Sequence, residues 1–212
     1  MDIVNPLAQQ YAEKYTSPDE ALLQQVLAET VARHAHAHML SGHLQGQLLQ
    51  MISCMIRPQR ILEIGTFTGY SALCLARGLQ KEGLLHTIEL REDDATTAQG
   101  YFNRSTYKQN IILHIGEALP IVGGLAETWD LVFIDADKVS YTHYFNLVLP
   151  KVRRGGFILA DNVLFHCQVL EEEVKGKNAL AIQAFNEAVL QSTEVEKVLL
   201  PLRDGLYLIR KL

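Results

Sequence analysis

Residues 60–71 read Arg60-Ile61-Leu62-Glu63-Ile64-Gly65-Thr66-Phe67-Thr68-Gly69-Tyr70-Ser71, and this stretch decides the fold. A short apolar run closes on Glu63 and then on two glycines four apart, Gly65 and Gly69, with a helical pattern beginning at Tyr70. Glycines at a strand-to-helix turn let a ligand press against bare backbone. The helix start beyond them offers unpaired N–H groups to an anionic part of that ligand. The turn therefore reads as a seat for a nucleoside-type cofactor. Its spacing is Gly-x-x-x-Gly, which differs from the Gly-x-Gly-x-x-Gly of dinucleotide binders.

Working outward, strands are predicted at 60–64, 84–90, 110–115, 129–135, 156–161, 194–200 and 205–210. Segments long enough for crossover helices separate the first five, which implies a parallel sheet with right-handed connections. The last two flank Arg203-Asp204-Gly205, a hairpin-type turn, so one strand near the C-terminus is expected to run antiparallel. Before Arg60 the chain reads as helical. Ser17-Pro18-Asp19-Glu20 has the form of a capping box ahead of Leu22, Leu23, Val26, Leu27 and Val31. A second periodic stretch runs from Leu44 to Met55 and stops at Pro58. Residues 163–178 show no clear period and read as a surface loop near the site.

The 212 residues suffice for one α/β unit with a substantial core. Hydrophobic residues make up 48% and charged residues 20%, as in ordinary globular proteins. A formal net charge of -5 without a Lys/Arg block disfavours a nucleic-acid surface. No apolar run is long enough to span a bilayer, and Met1-Asp2-Ile3-Val4 begins no basic-then-apolar leader. The three cysteines form no C-x-x-C pair; Cys54 and Cys74 fall in apolar helical patterns and are expected to be buried thiols in a reducing cytoplasm.

Ligands of open parallel sheets bind outside the carboxyl ends of the strands. The five predicted ends carry Glu63-Ile64-Gly65, Glu89-Leu90, Gly116-Glu117-Ala118, Asp135-Ala136-Asp137-Lys138 and Asp161-Asn162. Glu89 is placed to accept hydrogen bonds from ribose hydroxyls; the alternative is a solvated acid in a charged run. Asp135, Asp161 and Asn162 offer three oxygen ligands for a hard divalent ion such as Mg²⁺, and no Cys/His cluster suits zinc. Acidic strand ends also serve as helix caps and turns, and for Asp137, directly before Lys138, the cap is the favoured reading. His34, His36, His38 and His43 read as a solvated or pocket-lining stretch in preference to a metal site. His36 or His38 could shape an acceptor pocket. Tyr141, Tyr144 and Phe145 read as an inward helix stripe, and Trp129 as the opening of the fourth strand.

Several motifs occur in order: Met39-Leu40-Ser41, Gly46-Gln47-Leu48-Leu49, Leu62 to Ser71, Phe133-Ile134-Asp135-Ala136-Asp137-Lys138, Asp161-Asn162-Val163-Leu164 and Pro201-Leu202-Arg203-Asp204-Gly205-Leu206. On these the chain resembles, over nearly its whole length, the metal-dependent O-methyltransferases related to caffeoyl-CoA and catechol O-methyltransferases. The glycine turn is shared by many methyltransferases; the Asp-Ala-Asp-Lys and Asp-Asn-Val-Leu combination is much more specific. The resemblance implies a Rossmann-like α/β fold: a seven-stranded, mostly parallel sheet with an antiparallel strand near the C-terminus and extra N-terminal helices. Residues 1–212 would form one domain, with a helical cap region at 1–58 and the core at 59–212.

The resemblance further implies that Ser41, Glu63, Gly65, Thr66 and Ser71 hold the methionine part of S-adenosylmethionine, and that Asp135 belongs to the cofactor site as well. Glu89 matches the ribose-binding acid, Gly116 and Ala118 the adenine-contacting turn. Asp135, Asp161 and Asn162 match ligands of Mg²⁺ or another divalent cation, and Lys138 the catalytic lysine. Relatives are often homodimers. The expected reaction is methyl transfer to a hydroxyl of a small phenolic, catechol-like vicinal diol, with Mg²⁺ acidifying and orienting the acceptor and Lys138, its pKa depressed beside a dication, taking the proton. Three other readings stay open: a hydroxylated tRNA nucleoside as acceptor, an NAD-linked oxidoreductase, and a non-catalytic cofactor-binding module. His166 and Cys167 depart from the Trp-x-Gly-like continuation of many relatives, and Gln45 stands where relatives often have Glu.

Overall fold

The computed structural model describes residues 4–212. Seven strands form one sheet in the order β3-β2-β1-β4-β5-β7-β6. They are β1 (Arg60–Ile64), β2 (Leu84–Glu89), β3 (Ile111–Ile115), β4 (Trp129–Ile134), β5 (Val152–Asp161), β6 (Val195–Leu200) and β7 (Leu206–Lys211). The first five pair in parallel, and β7 runs antiparallel to both β5 and β6. Strand order reverses direction at β1 and β4, and the crevice between crossovers of opposite sense opens there.

The sheet buries both faces because successive side chains point to opposite sides. Leu62, Ile64, Val132 and Ile134 pack with α7 (Tyr141–Val148) and α8 (Lys177–Gln191). Ile61, Leu131 and Phe133 pack on the other side with α3 (His43–Ile56), α4 (Tyr70–Ala76) and α5 (Glu92–Arg104). Two further helices, α1 (Pro6–Lys14) and α2 (Ala21–Arg33), precede α3, and α6 (Ala118–Gly124) follows β3. No helix among the described residues is long and apolar enough to cross a membrane.

The structure corrects four local expectations. Helix α2 starts at Ala21 without a side-chain cap, so Ser17 to Glu20 is not a capping box. Asp19 is instead drawn inward, where Gln47 Nε2 (2.8 Å) and the Tyr70 hydroxyl (2.7 Å) donate to its carboxylate and His43 Nδ1 lies 3.1 Å away. Three polar partners on α3 and α4 outweigh one local cap. Cys54 is exposed, on the outer side of α3, whereas Cys74 is buried. Asp137 stands at the N-cap position of a 3₁₀ turn (Lys138–Ser140) but makes no side-chain cap bond; its carboxylate accepts from the Tyr144 hydroxyl. Strand β5 begins four residues earlier than predicted, at Val152, because a register shift opposite Trp129 and Leu131 accommodates the Gly155-Gly156 bend.

Candidate functional site

A cleft of about 710 Å³ lies over the carboxyl ends of β1, β2, β4 and β5. Its floor is the glycine turn. Gly65 has φ 102°, and a Cβ built there would sit 1.9 Å from the Asp135 carbonyl oxygen, so only glycine lets β1 approach β4 this closely. The same approach is fixed by Asp135 N–H donating to Ile64 O (2.9 Å), while the N–H groups of Gly65 and Thr66 both donate to Ile88 O. Gly69 has φ 90°, and a Cβ there would meet the Phe102 ring at 2.7 Å.

The predicted residues converge with one exception. Ser41, Gly65, Thr66, Ser71, Glu89, Gly116, Ala118, Asp135, Lys138, Asp161 and Asn162 all line the cleft. Glu63 does not. It is fully buried behind the turn, where Thr87 Oγ1 donates to its Oε2 and Thr66 Oγ1 meets Thr87 Oγ1 in turn; its Oε1 has no hydrogen-bond partner. Burial pushes the Glu63 carboxyl up to about 8, against the Ser71 and Thr87 hydroxyls, which favour its charged form. Glu89 accepts from Phe67 N–H (2.7 Å) and Arg91 N–H (3.0 Å), which holds its carboxylate at the rim of the turn.

At the other end, side chains from distant segments meet. Lys138 Nζ donates to Asp135 Oδ1 (3.1 Å), Asn162 Oδ1 (2.8 Å) and the Tyr141 hydroxyl (2.7 Å). The Tyr141 hydroxyl donates to Asp161 O (3.0 Å). Burial, then the Asp135 and Asp161 charges, keep that phenol protonated, its pKa well above the ordinary value. The Asp161 carboxyl is raised to about 6 by burial and then by the charge of Asp135; a bond from Gln45 and the charges of Lys138 and Arg203 oppose the rise. Lys138 Nζ thus joins one carboxylate, Asp135, to the amide oxygen of Asn162, while the Asp161 carboxylate lines the same cleft and is held by Gln45 Nε2 and Asn162 N–H. Asp135, Asp161 and Asn162 offer hard oxygen donors along one cleft, a chemistry that suits a divalent ion better than any nitrogen or sulfur set here. Among the described residues no group of three or more His, Cys, Asp or Glu side chains could hold a metal.

Sequence reasoning missed three participants. Gln45 is fully buried and donates through Nε2 to Asp161 Oδ2 at 2.7 Å. Arg203 lines the cleft from the β6–β7 turn, a segment that the sequence offered as a hairpin and a family motif with no site role for the arginine. Tyr141, expected as core, is core and also a partner of Lys138. Of the four histidines, His38 lines the cleft, while His34 and His43 pair with Asp94 (2.8 Å) and Asp19 (3.1 Å), acids remote in sequence. Phe165 and His166 form part of the wall beyond Asn162, and Trp129 stays buried away from it.

A glycine-turn cleft at the switch point of a doubly wound sheet, with a strand-end acid beside it, defines a nucleoside-binding α/β protein. The particular family is fixed by comparison with known proteins: residues 13–212 match the O-methyltransferase family model, and the chain belongs to that family. It is 35% identical to the catechol O-methyltransferase of Niastella koreensis over 160 residues, covering 74% of this chain and 72% of that one. It is 27% identical to caffeoyl-CoA O-methyltransferase 2 of Populus trichocarpa over 219 residues, covering 97% and 88%. An O-methyltransferase from Bacillus cereus, solved in complex with SAH, superposes with a TM-score of 0.87 at 28% identity, covering 97% of each chain. Family membership sets aside the oxidoreductase reading.

Proposed function

We propose that this protein transfers a methyl group from S-adenosylmethionine to one hydroxyl of a small catechol-like acceptor, assisted by a divalent cation. The observation that carries the reading is that Lys138 bonds Asp135 and Asn162 and, through the Tyr141 hydroxyl, the main chain of Asp161, all lining one cleft with the ribose-side acid Glu89. Gly65, Thr66, Ser41 and Ser71 are the residues we assign to the methionine part, Glu89 to the ribose and Gly116 and Ala118 to the base. Glu63 acts from behind them, setting the turn through Thr87 and Thr66.

Methyl transfer from a sulfonium is an in-line displacement: the carbon–sulfur bond breaks with its electron pair going to sulfur as the acceptor oxygen bonds to the methyl carbon. The acceptor oxygen must therefore be nucleophilic and held close. A divalent cation bound by Asp135, Asp161 and Asn162 would lower the pKa of a phenolic hydroxyl and fix its direction. Lys138, tethered by Tyr141 beside those oxygens, is the residue we assign to receive the proton, as the neutral amine formed once its ammonium has given up a proton to solvent. Phe165 and His38 line the cleft, and we assign them to the contact with the acceptor ring. Carboxylates outnumber cations along this cleft, which counts against a polyanionic RNA acceptor.

The test is transfer of labelled methyl from S-adenosylmethionine to a catechol panel, with Mg²⁺ and with excess EDTA. Methylated catechol that disappears with EDTA is expected. Transfer indifferent to EDTA would remove the metal, and cofactor binding without any transfer to catechols would remove that acceptor class.

A further inference from the structure

The turn between β6 and β7 closes on two segments far from it in sequence. Asp204 O accepts from Leu164 N–H (2.9 Å) and Gly205 O from Val163 N–H (3.1 Å), so the turn is sewn to the loop that leaves Asn162. On its other side Arg203 crosses to the segment ahead of α3. Its Nη2 donates to Leu40 O (2.8 Å), and its Nη1 to Ser41 O and to Gln45 Oε1 (3.0 Å). Arg203 is held at φ 50°, a left-handed conformation that a non-glycine residue keeps only when its surroundings impose it. Here three acceptors do so.

The guanidinium has donors only. Gln45 must therefore present its oxygen to Arg203, which leaves its Nε2 facing Asp161 Oδ2 at 2.7 Å. A flipped amide would set N–H against guanidinium and oxygen against carboxylate. Asp161 Oδ1 is already occupied by the N–H of Asn162 (2.8 Å). Each oxygen of Asp161 thus has one fixed donor, and the carboxylate plane has no freedom to rotate. Asp161 is 2% exposed and Gln45 0%, so this bond is made away from bulk solvent.

We infer that Arg203 and Gln45 are positioning residues: Arg203 sets the Gln45 amide, and Gln45 sets the Asp161 carboxylate for the divalent cation. This rests on the metal reading above and extends it to two residues that touch neither cation nor methyl donor. A single guanidinium also ties Ser41, at the cofactor end, to the metal end, so the two halves of the cleft share one fastening. Partners that orient a metal ligand typically change metal affinity by about 10–100-fold when removed.

The experiment measures Mn²⁺ binding by electron paramagnetic resonance and S-adenosylhomocysteine binding by calorimetry, in the wild type and in Gln45→Met, Arg203→Met and Arg203→Lys. Gln45→Met should weaken Mn²⁺ by about 10–100-fold and change metal-free S-adenosylhomocysteine binding by less than about twofold. Arg203→Met should weaken both ligands, and the double variant should lose less Mn²⁺ affinity than the sum of the singles, since they act in series. Arg203→Lys, which keeps a donor for the carbonyls but not the fork, should recover S-adenosylhomocysteine binding more than Mn²⁺ binding. A purely structural role would weaken both ligands together in Gln45→Met and would overturn the inference. So would wild-type Mn²⁺ affinity in the variants. If Gln45→Met does not fold, the split between ligands in Arg203→Lys decides. Absence of Mn²⁺ binding in the wild type would overturn the metal reading itself, and this one with it.

Discussion

The two ends of the cleft are built in different ways. The end over β1 and β2 is made of main chain: Gly65, Thr66 and Phe67 come from one turn, and Glu89 is oriented by two backbone N–H groups. The end over β4 and β5 is made of side chains brought from Gln45, Asp135, Lys138, Tyr141, Asp161, Asn162 and Arg203, which span most of the sequence. The first is rigid because backbone hydrogen bonds fix it. The second is only as precise as its chain of side-chain partners, and it holds buried charges whose loss leaves others unpaired. Damage should therefore be graded at the first end and abrupt at the second.

The largest effect is expected at Asp161→Ala, which should abolish EDTA-sensitive methyl transfer while S-adenosylhomocysteine still binds; a fully active, chelator-resistant variant would break the contrast. Lys138→Ala should cut kcat by about 10²–10⁴-fold with cofactor affinity nearly intact, as read from single-turnover rates and calorimetry. Unchanged turnover would take Lys138 out of the proton transfer. At the other end, Glu89→Gln keeps the shape but loses the charged acceptor, and should weaken S-adenosylmethionine by about 10–100-fold with a smaller change in kcat. A kcat effect as large as that of Lys138→Ala would show that the two ends are not separable.

The smallest effect concerns pH and stability. Below its ordinary value of 4.5 the Glu63 carboxyl is protonated whether the chain is folded or not. Between 4.5 and about 8 the unfolded chain ionises while the folded one keeps the proton, so stability is lost progressively as pH rises through that window. Ligand-free Glu63→Gln should lack this component, and its melting temperature should fall less than that of the wild type between pH 5 and 8. Parallel pH profiles would remove Glu63 as the source.

The resemblance and the residues together made much of this legible. The strands were placed within a residue or two except at β5, and the antiparallel C-terminal strand followed from the Arg203-Asp204-Gly205 turn. Those predictions rest on local information: alternation of apolar residues, glycines at turns, acids at strand ends. The three other errors share one cause. Asp19 was read as part of a cap, Cys54 as buried and Asp137 as a cap side chain, because each was judged by its neighbours in sequence. In the structure, Asp19 and Asp137 answer to partners brought by packing, and Cys54 to the face of α3 that packing leaves uncovered.

By itself, the sequence determined the order of strands and helices, the glycine turn and the set of strand-end acids, since backbone geometry and side-chain period are properties of short stretches. Tertiary structure alone decided that Glu63 lies behind the cleft, that Gln45 faces Asp161 and that Arg203 fastens both to Ser41. Hydrogen bonds between residues more than 100 positions apart depend on how elements pack, and no local pattern encodes which donor will meet which buried acceptor.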